Sequence, residues 1–263
     1  MIGRSLAVLV ATACLTAAPE SAAGRQVAEG TRAADPFPNE IARINRSIAP
    51  VICRTRTPEK PVERIVGTAF FVSASGEFVT AEHVIESAGD CQKAVYLPVN
   101  GWNPDPDAEI RLYNFTQCLR DASADIAVCR TDRDLTTTAH FGTAVTPVIF
   151  DTSEHEDGTP IAFTGFPLQI RRPLTARGFL AASHPGFMAG GLPRLVLDRV
   201  AWPGSSGGPV YGANGSVIGM MMERGIDRST GLAFARPASL IVDNITRFRQ
   251  QNETTTALQQ LQP

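Results

Sequence analysis

The chain has 263 residues, 43% of them hydrophobic and 19% charged, so it can bury a core and is not a disordered polymer. A formal net charge of −2 provides no strong basic field to meet phosphates, which excludes an electrostatic case for nucleic-acid binding. No self-similar period points to a repeat protein, and the only long apolar run is N-terminal, which excludes a multi-span membrane protein.

In chain order, residues 1–23 read as a secretory signal. Arg4 gives the positive start, residues 6–18 the apolar run, and Ser21-Ala22-Ala23 the small residues of a cleavage site. The run is too short to span a bilayer, so no stable membrane insertion is expected after its removal. Cys14 makes a poor lipidation site with Ala11 upstream. Residues 24–38 read as a flexible leader, and residues 39–48 as a short helix with Ile41, Ile44 and Ile48 at helical spacing.

Short apolar or alternating runs follow between turn residues, at 51–54, 65–72, 77–81, 94–99, 110–119, 126–130, 147–150, 160–164, 175–181, 194–200, 210–211, 216–222 and 232–235. Many short strands with Gly, Pro and Asn-Gly turns predict an all-β barrel or sandwich. Asn214-Gly215 reads as a hairpin turn, and the Thr/Asp-rich stretch 130–146 as the connection between two halves of the β region. Pro237 opens one convincing helix to about residue 250, with Leu240, Ile241, Ile245 and Phe248 as its apolar stripe. The Gln/Thr-rich residues 251–263 read as a disordered tail.

Five cysteines are present, and four remain once Cys14 leaves with the signal, an even number that suits two disulfides in an exported chain. Three pairings are possible. Cys118 and Cys129 lie equidistant from the centre of a hairpin near Ser123-Ala124, which favours Cys118–Cys129 and, by elimination, Cys53–Cys91. No CxxC spacing pairs with the histidines, so no metal is expected.

Three motifs carry chemistry, and their order matters. Thr80-Ala81-Glu82-His83 delivers a histidine at a strand end, Asp125 opens the apolar strand Ile126-Ala127-Val128, and Gly204-Ser205-Ser206-Gly207-Gly208-Pro209 sets a serine in a tight bend. A serine hydroxyl needs a base to take its proton, and histidine titrates near neutrality. A carboxylate on the second ring nitrogen fixes the tautomer, and backbone N–H groups beside the serine can meet an oxyanion; Gly204 and Ser206 would supply them. Gly204, Ser206 and Gly208 also match the nucleophile elbow of α/β-hydrolases. That reading fails on order, because none of the four histidines, at 83, 140, 155 and 184, follows Ser206.

With these residues in view, the chain resembles the trypsin-like serine peptidases of the chymotrypsin fold, nearest the HtrA/Deg-type bacterial protease domains. GTAFFVSASGEFVTAEHVI, DASADIAVCRTD, GTPIAFTGFP, LVLDRVAWPGSSGGPV, GSVIGMMMERG and GLAFARP carry the resemblance, across roughly residues 48–250. It implies an all-β fold of two six-stranded antiparallel β-barrels, about 48–135 and 145–236, with a closing helix at 237–250. It implies His83 as general base and acid, Asp125 as its orienter with Asp121 the competitor, and Ser206 as nucleophile. No cofactor is implied, the partner is a protein or peptide substrate, and the expected location is periplasmic or extracellular.

Departures from the family are informative. Only about a dozen residues follow the helix, so no PDZ domain of the HtrA type is expected, and a monomer is the expectation. Arg64-Ile65-Val66-Gly67 looks like an activation site, but a cut there would remove the first strand, and Ser205 stands where activated proteases carry an aspartate. By resemblance, Val200 lies at the base of the primary pocket, which argues against cleavage after Arg or Lys. Met221, Met222 and Glu223 border the substrate strand, which favours a small or medium apolar side chain. The rival readings are a catalytically silent homologue that binds a partner, an esterase on the same site, and a glutamyl endopeptidase using His184. Trp202 is expected beneath the nucleophile loop. The Asn-x-Ser/Thr sequons at Asn45, Asn114, Asn214, Asn244 and Asn252 read as chance in a bacterial protein.

Overall fold

The computed structural model describes residues 35–55, 62–86, 91–98, 101–102, 109–136, 145–184, 191–222 and 231–260. The signal expected at 1–23 and most of the leader therefore lie outside the described residues.

Helix α1 (Phe37–Asn45) opens the described chain, two residues earlier than its apolar spacing predicts. Phe37 is buried with Arg177 stacked 4.4 Å over its ring, so the end of the expected leader is anchored by packing. Ile48 belongs to β1 instead, because its run of buried residues is continuous with the strand.

Twelve strands follow among the described residues. The first six are β1 (Ile48–Thr55), β2 (Val62–Phe71), β3 (Glu77–Thr80), β4 (Gln92–Pro98), β5 (Ile110–Asp121) and β6 (Ile126–Thr131). They close a barrel in the order β1-β2-β3-β6-β5-β4. The second six are β7 (Pro160–Gly165), β8 (Leu174–His184), β9 (Arg194–Leu197), β10 (Pro209–Gly212), β11 (Val217–Met222) and β12 (Ala233–Pro237), closed in the order β10-β11-β12-β9-β8-β7. All ladders are antiparallel. The all-β double barrel is the architecture that the resemblance implies.

One expected strand is missing. Residues 147–150 make a single bridge, Phe150 to Val217, because this stretch divides its hydrogen bonds between the barrels. Val148 N–H goes to Phe71 of barrel 1 at 3.0 Å and Asp151 N–H to Val217 of barrel 2 at 2.9 Å. No continuous ladder can form on either side, and Pro147 lacks an N–H.

Both disulfides are in barrel 1. Cys118 and Cys129 face each other directly across β5 and β6, with Cα atoms 4.1 Å apart. Cys53 and Cys91 join the start of β4 to β1, with Cα atoms 5.5 Å apart.

Helix α3 (Ala238–Gln260) is longer than expected. Its first half buries Ile241, Ile245 and Phe248 against strands of both barrels, and Arg249 donates to Glu77 of β3 at 2.8 Å. The stretch read as a disordered tail from 251 is helical to Gln260. No glycine or proline interrupts it, Gln, Glu, Ala and Leu are good helix formers, and extending a docked helix adds one hydrogen bond per ordered residue.

Candidate active site

The site lies where barrel 1 meets the glycine-rich turn of barrel 2. β3 ends at Thr80, and the chain turns at Ala81 into the short helix α2 (Glu82–Glu86). His83 therefore sits in a helical turn just past the strand, where a strand end was expected. Its neighbour Glu82 is buried and accepts from Arg120 Nε of β5 at 2.9 Å, which pins α2 to the barrel wall.

Asp125 ends the β5–β6 turn. Its Oδ1 and Oδ2 both lie 2.9 Å from His83 Nδ1, and Oδ1 also accepts the His83 backbone N–H at 3.0 Å. One carboxylate thus fixes both the ring and the backbone of the histidine, and it selects the tautomer with hydrogen on Nδ1. Asp125 is 6% exposed and has φ = +55°, an uncommon conformation for a residue with a Cβ.

Asp121, the competing carboxylate, is engaged elsewhere. It accepts from Ser123 Oγ, from Ala124 N–H and from Arg247 of α3. Burial alone would raise its pKa, but these hydrogen bonds prevail and hold it at about 2. It shapes the turn that presents Asp125.

Ser206 is 2% exposed. Trp202 to Ser205 form a β-turn closed by Ser205 N–H to Trp202 C=O at 2.9 Å, with Pro203 second and Gly204 third at φ = +99°. That is the Pro-Gly chemistry of a type II turn. A Cβ on Gly204 would run into the Phe166 carbonyl, and one on Gly207 into the Thr68 carbonyl, so both glycines are demanded by close backbone approach.

Thr68 of β2 is the hinge pin between the barrels. Its N–H donates to Ser206 C=O at 2.8 Å, its Oγ1 donates to Gly204 C=O at 2.7 Å, and the same Oγ1 accepts from Phe166 N–H at 3.0 Å. Thr80 Oγ1 in turn donates to Thr68 C=O at 2.7 Å. The serine turn is thereby hydrogen-bonded to the strand pair that leads into His83. Leu168 N–H holds Pro203 C=O at 2.9 Å, and the Gln169 amide pairs with both Ile65 N–H and C=O at 2.8 Å. In the sequence Thr68 stands out only as part of GTAFF, and Gln169 carries no signal at all. Neither residue type signals an inter-barrel contact on its own.

Other expected residues have different surroundings. Met220 and Met221 are fully buried in the core, Met222 is buried at the end of β11, and Val200 is partly buried. Glu223 lies outside the described residues. Trp202 is 50% exposed, not tucked beneath the turn as expected. Arg64 to Gly67 lie within β2, paired to β1, and Ser205 is buried. Asn244 is 3% exposed, and its side chain donates to Leu240 C=O at 2.9 Å. Among the described residues no group of three or more His, Cys, Asp or Glu gathers to hold a metal ion, and no helix is long and apolar enough to cross a membrane.

A double β-barrel with an Asp-His pair and a glycine-flanked serine at the junction defines the class of chymotrypsin-like folds. The model of the trypsin-like peptidase domain family matches residues 67–220, more than half the chain, and the chain belongs to that family. It is 25% identical over 195 residues to a probable periplasmic serine endoprotease, DegP-like, of Halomonas elongata. That match covers 73% of this chain and 37% of the relative, so the chain spans little more than a third of the relative's length. Among solved structures, an HtrA-type protease, AlgW with decapeptide, superposes with a TM-score of 0.64 at 19% identity. The match covers 81% of this chain and 67% of that one, and it speaks for the shared fold.

Proposed function

We propose that the chain is an exported serine endopeptidase that cleaves peptide bonds through an acyl-enzyme intermediate. The observation that carries this reading is the grip of Asp125 on His83, both carboxylate oxygens 2.9 Å from Nδ1, beside a serine turn bonded to the same barrel. Ser206 Oγ attacks the substrate carbonyl while His83 Nε2 takes its proton. The same proton then goes to the leaving amine, and a water activated by His83 releases the acyl group. Asp125 keeps the imidazole in the correct tautomer and stabilises the imidazolium.

The N–H groups of Gly204 and Ser206 receive the oxyanion. The Pro203 carbonyl is committed to Leu168 N–H, which fixes the orientation of the peptide that carries the Gly204 N–H. No activating cleavage is needed: the Arg64 bond is internal to β2, and Ser205 offers no carboxylate to a new amine. Val200 and Met222 line the primary pocket and favour a small or medium apolar side chain. Asp198, two residues before Val200, has its carboxylate engaged by Phe179 N–H at 2.7 Å. The signal-like N-terminus and the periplasmic relative support export.

The direct test is fluorophosphonate labelling of the mature protein beside Ser206→Ala and His83→Ala. Labelling that disappears in both variants is the expected result. A folded, disulfide-intact wild type that takes no label would overturn the reading. A peptide library then reads the residue before the scissile bond, where Arg or Lys would contradict the pocket assignment.

A further inference from the structure

Among the described residues Arg236 is the only arginine or lysine that is fully buried, at 4% exposure. It stands on β12 opposite Met220, in a run of core residues. Burying a guanidinium is costly unless its donors are met. Here the acceptors are four backbone carbonyls: Ala124 from Nε at 2.6 Å, Ser123 from Nη2 at 3.4 Å, and Pro193 and Leu192 from Nη1 at 3.2 and 3.4 Å. The fork thus crosses from barrel 2 to the β5–β6 turn of barrel 1. The two carbonyls it holds there belong to the residues immediately before Asp125, whose φ is +55°. Asp121 grips the same turn from the other side through Ala124 N–H at 3.0 Å.

We propose that Arg236 is a positioning residue for the Asp125–His83 couple. From barrel 2 it fixes the carbonyls of Ser123 and Ala124, sets the strained backbone of Asp125, and keeps a fixed positive charge near that carboxylate. The proposal rests on the reading of His83 as base and Ser206 as nucleophile. Burial pushes the guanidinium's pKa down and Arg194 adds to this, while Asp125 and Asp121 oppose it, so the cation feels both carboxylates. The other charged groups around the couple are already matched. Glu82 of α2 pairs with Arg120 of β5, with Lys93 of β4 close to both, and Asp121 pairs with Arg247 of α3.

Removing the cation lets the imidazolium form more easily, so the inactive protonated enzyme persists to higher pH. The test measures fluorophosphonate labelling rate against pH for the full chain with intact disulfides, comparing wild type, Ser206→Ala, Arg236→Met and Arg236→Lys. Urea midpoints report folding. Arg236→Met is expected to label about 10–100-fold more slowly at saturating probe, the scale of a small misplacement of reacting groups. Its acid limb is expected to move up by about half a pH unit, with half-saturation unchanged.

Arg236→Lys keeps the charge without the planar fork; it should fall between the two in rate and retain the wild-type acid limb. A folded Arg236→Met that labels like wild type would overturn the proposal. So would equal slowing of both variants with no movement of the acid limb, which is the mark of a purely structural residue. If Arg236→Met does not fold, Arg236→Gln takes its place: slower labelling with the acid limb moved up by the lost charge supports the proposal, and an unmoved limb overturns it. Wild-type labelling that survives Ser206→Ala would defeat the underlying reading, and the proposal with it.

Discussion

The two barrels share a strand plan but are stabilised differently. Barrel 1 closes around aromatic rings, with Phe71, Phe78 and Phe115 in edge-to-face contact, and carries both disulfides. Barrel 2 contains no cysteine and closes mainly around aliphatic side chains such as Ile161, Leu180, Leu197 and Val210, together with Phe163. The His83–Asp125 pair sits on the stapled barrel, and Ser206 sits on the barrel whose glycine turn is compressed against its neighbour. An orienting carboxylate must be held at a fixed angle, which rigid packing provides. In the proposed chemistry, backbone N–H groups that turn toward an oxyanion need a bend that only glycine allows.

Breaking the turn of barrel 2 should have the largest effect. In Gly204→Ala the new Cβ meets the Phe166 carbonyl and φ = +99° becomes strained, so the turn must shift. Loss of one oxyanion donor costs about 2.7–4 kcal/mol of barrier, or roughly 100–1,000-fold. Labelling should fall on that scale while the urea midpoint changes modestly, and retained labelling would separate the turn from the chemistry. The opposite pattern is expected in barrel 1. Replacing Cys53 and Cys91 by serine removes a link with a sequence separation of 38, and doing the same at Cys118 and Cys129 removes one of 11. Loop-closure entropy puts these losses at roughly 4 and 3 kcal/mol, respectively, read by urea unfolding.

Thr68→Val tests the link between barrels. It leaves Gly204 C=O and Phe166 N–H without their buried partner, at about 1–3 kcal/mol of stability. Labelling should slow about tenfold, because the unsupported turn no longer holds its orientation. A stability loss with unchanged labelling would show that Thr68 only fastens the barrels together.

Acid should loosen barrel 1 first where α3 docks. Asp121 has its pKa lowered from 3.8 to about 2, so it contributes stability above about pH 4 that is lost as pH falls toward 2. Glu77 moves the same way: burial opposes its charge, but hydrogen bonds from Arg130 and Arg249 prevail. Asp121→Asn should therefore flatten part of the stability slope between pH 4 and pH 2, followed by helical signal. An unchanged slope would remove Asp121 from acid unfolding. The smallest effect is expected for Trp202→Ala, under about 0.5 kcal/mol, because the side chain is 50% exposed.

Much of this was legible in the sequence because local chemistry enforces it. Alternating apolar runs announced most strands, and the glycines around Ser206 announced a bend that a neighbouring backbone approaches. Residues 147–150 read as a strand because they are apolar, yet their hydrogen bonds are split between two barrels, which no local pattern records. Residues 251–260 read as a tail because their composition is polar, yet they are helical, because helix extension depends on the docked half that precedes them.

The sequence by itself determined the class of fold, the chemistry-bearing residue types and their order along the chain, because propensity, periodicity and turn chemistry are local. The resemblance singled out Asp125, and the tertiary structure shows how the two aspartates divide: Asp125 meets His83, while Asp121 meets Arg247. Only the tertiary structure decided that Thr68, Gln169 and Arg236 bind backbone across the barrel junction. A hydrogen bond to a main-chain carbonyl depends on where that carbonyl lies in space, and the acceptor carries no side-chain signature that a sequence could display.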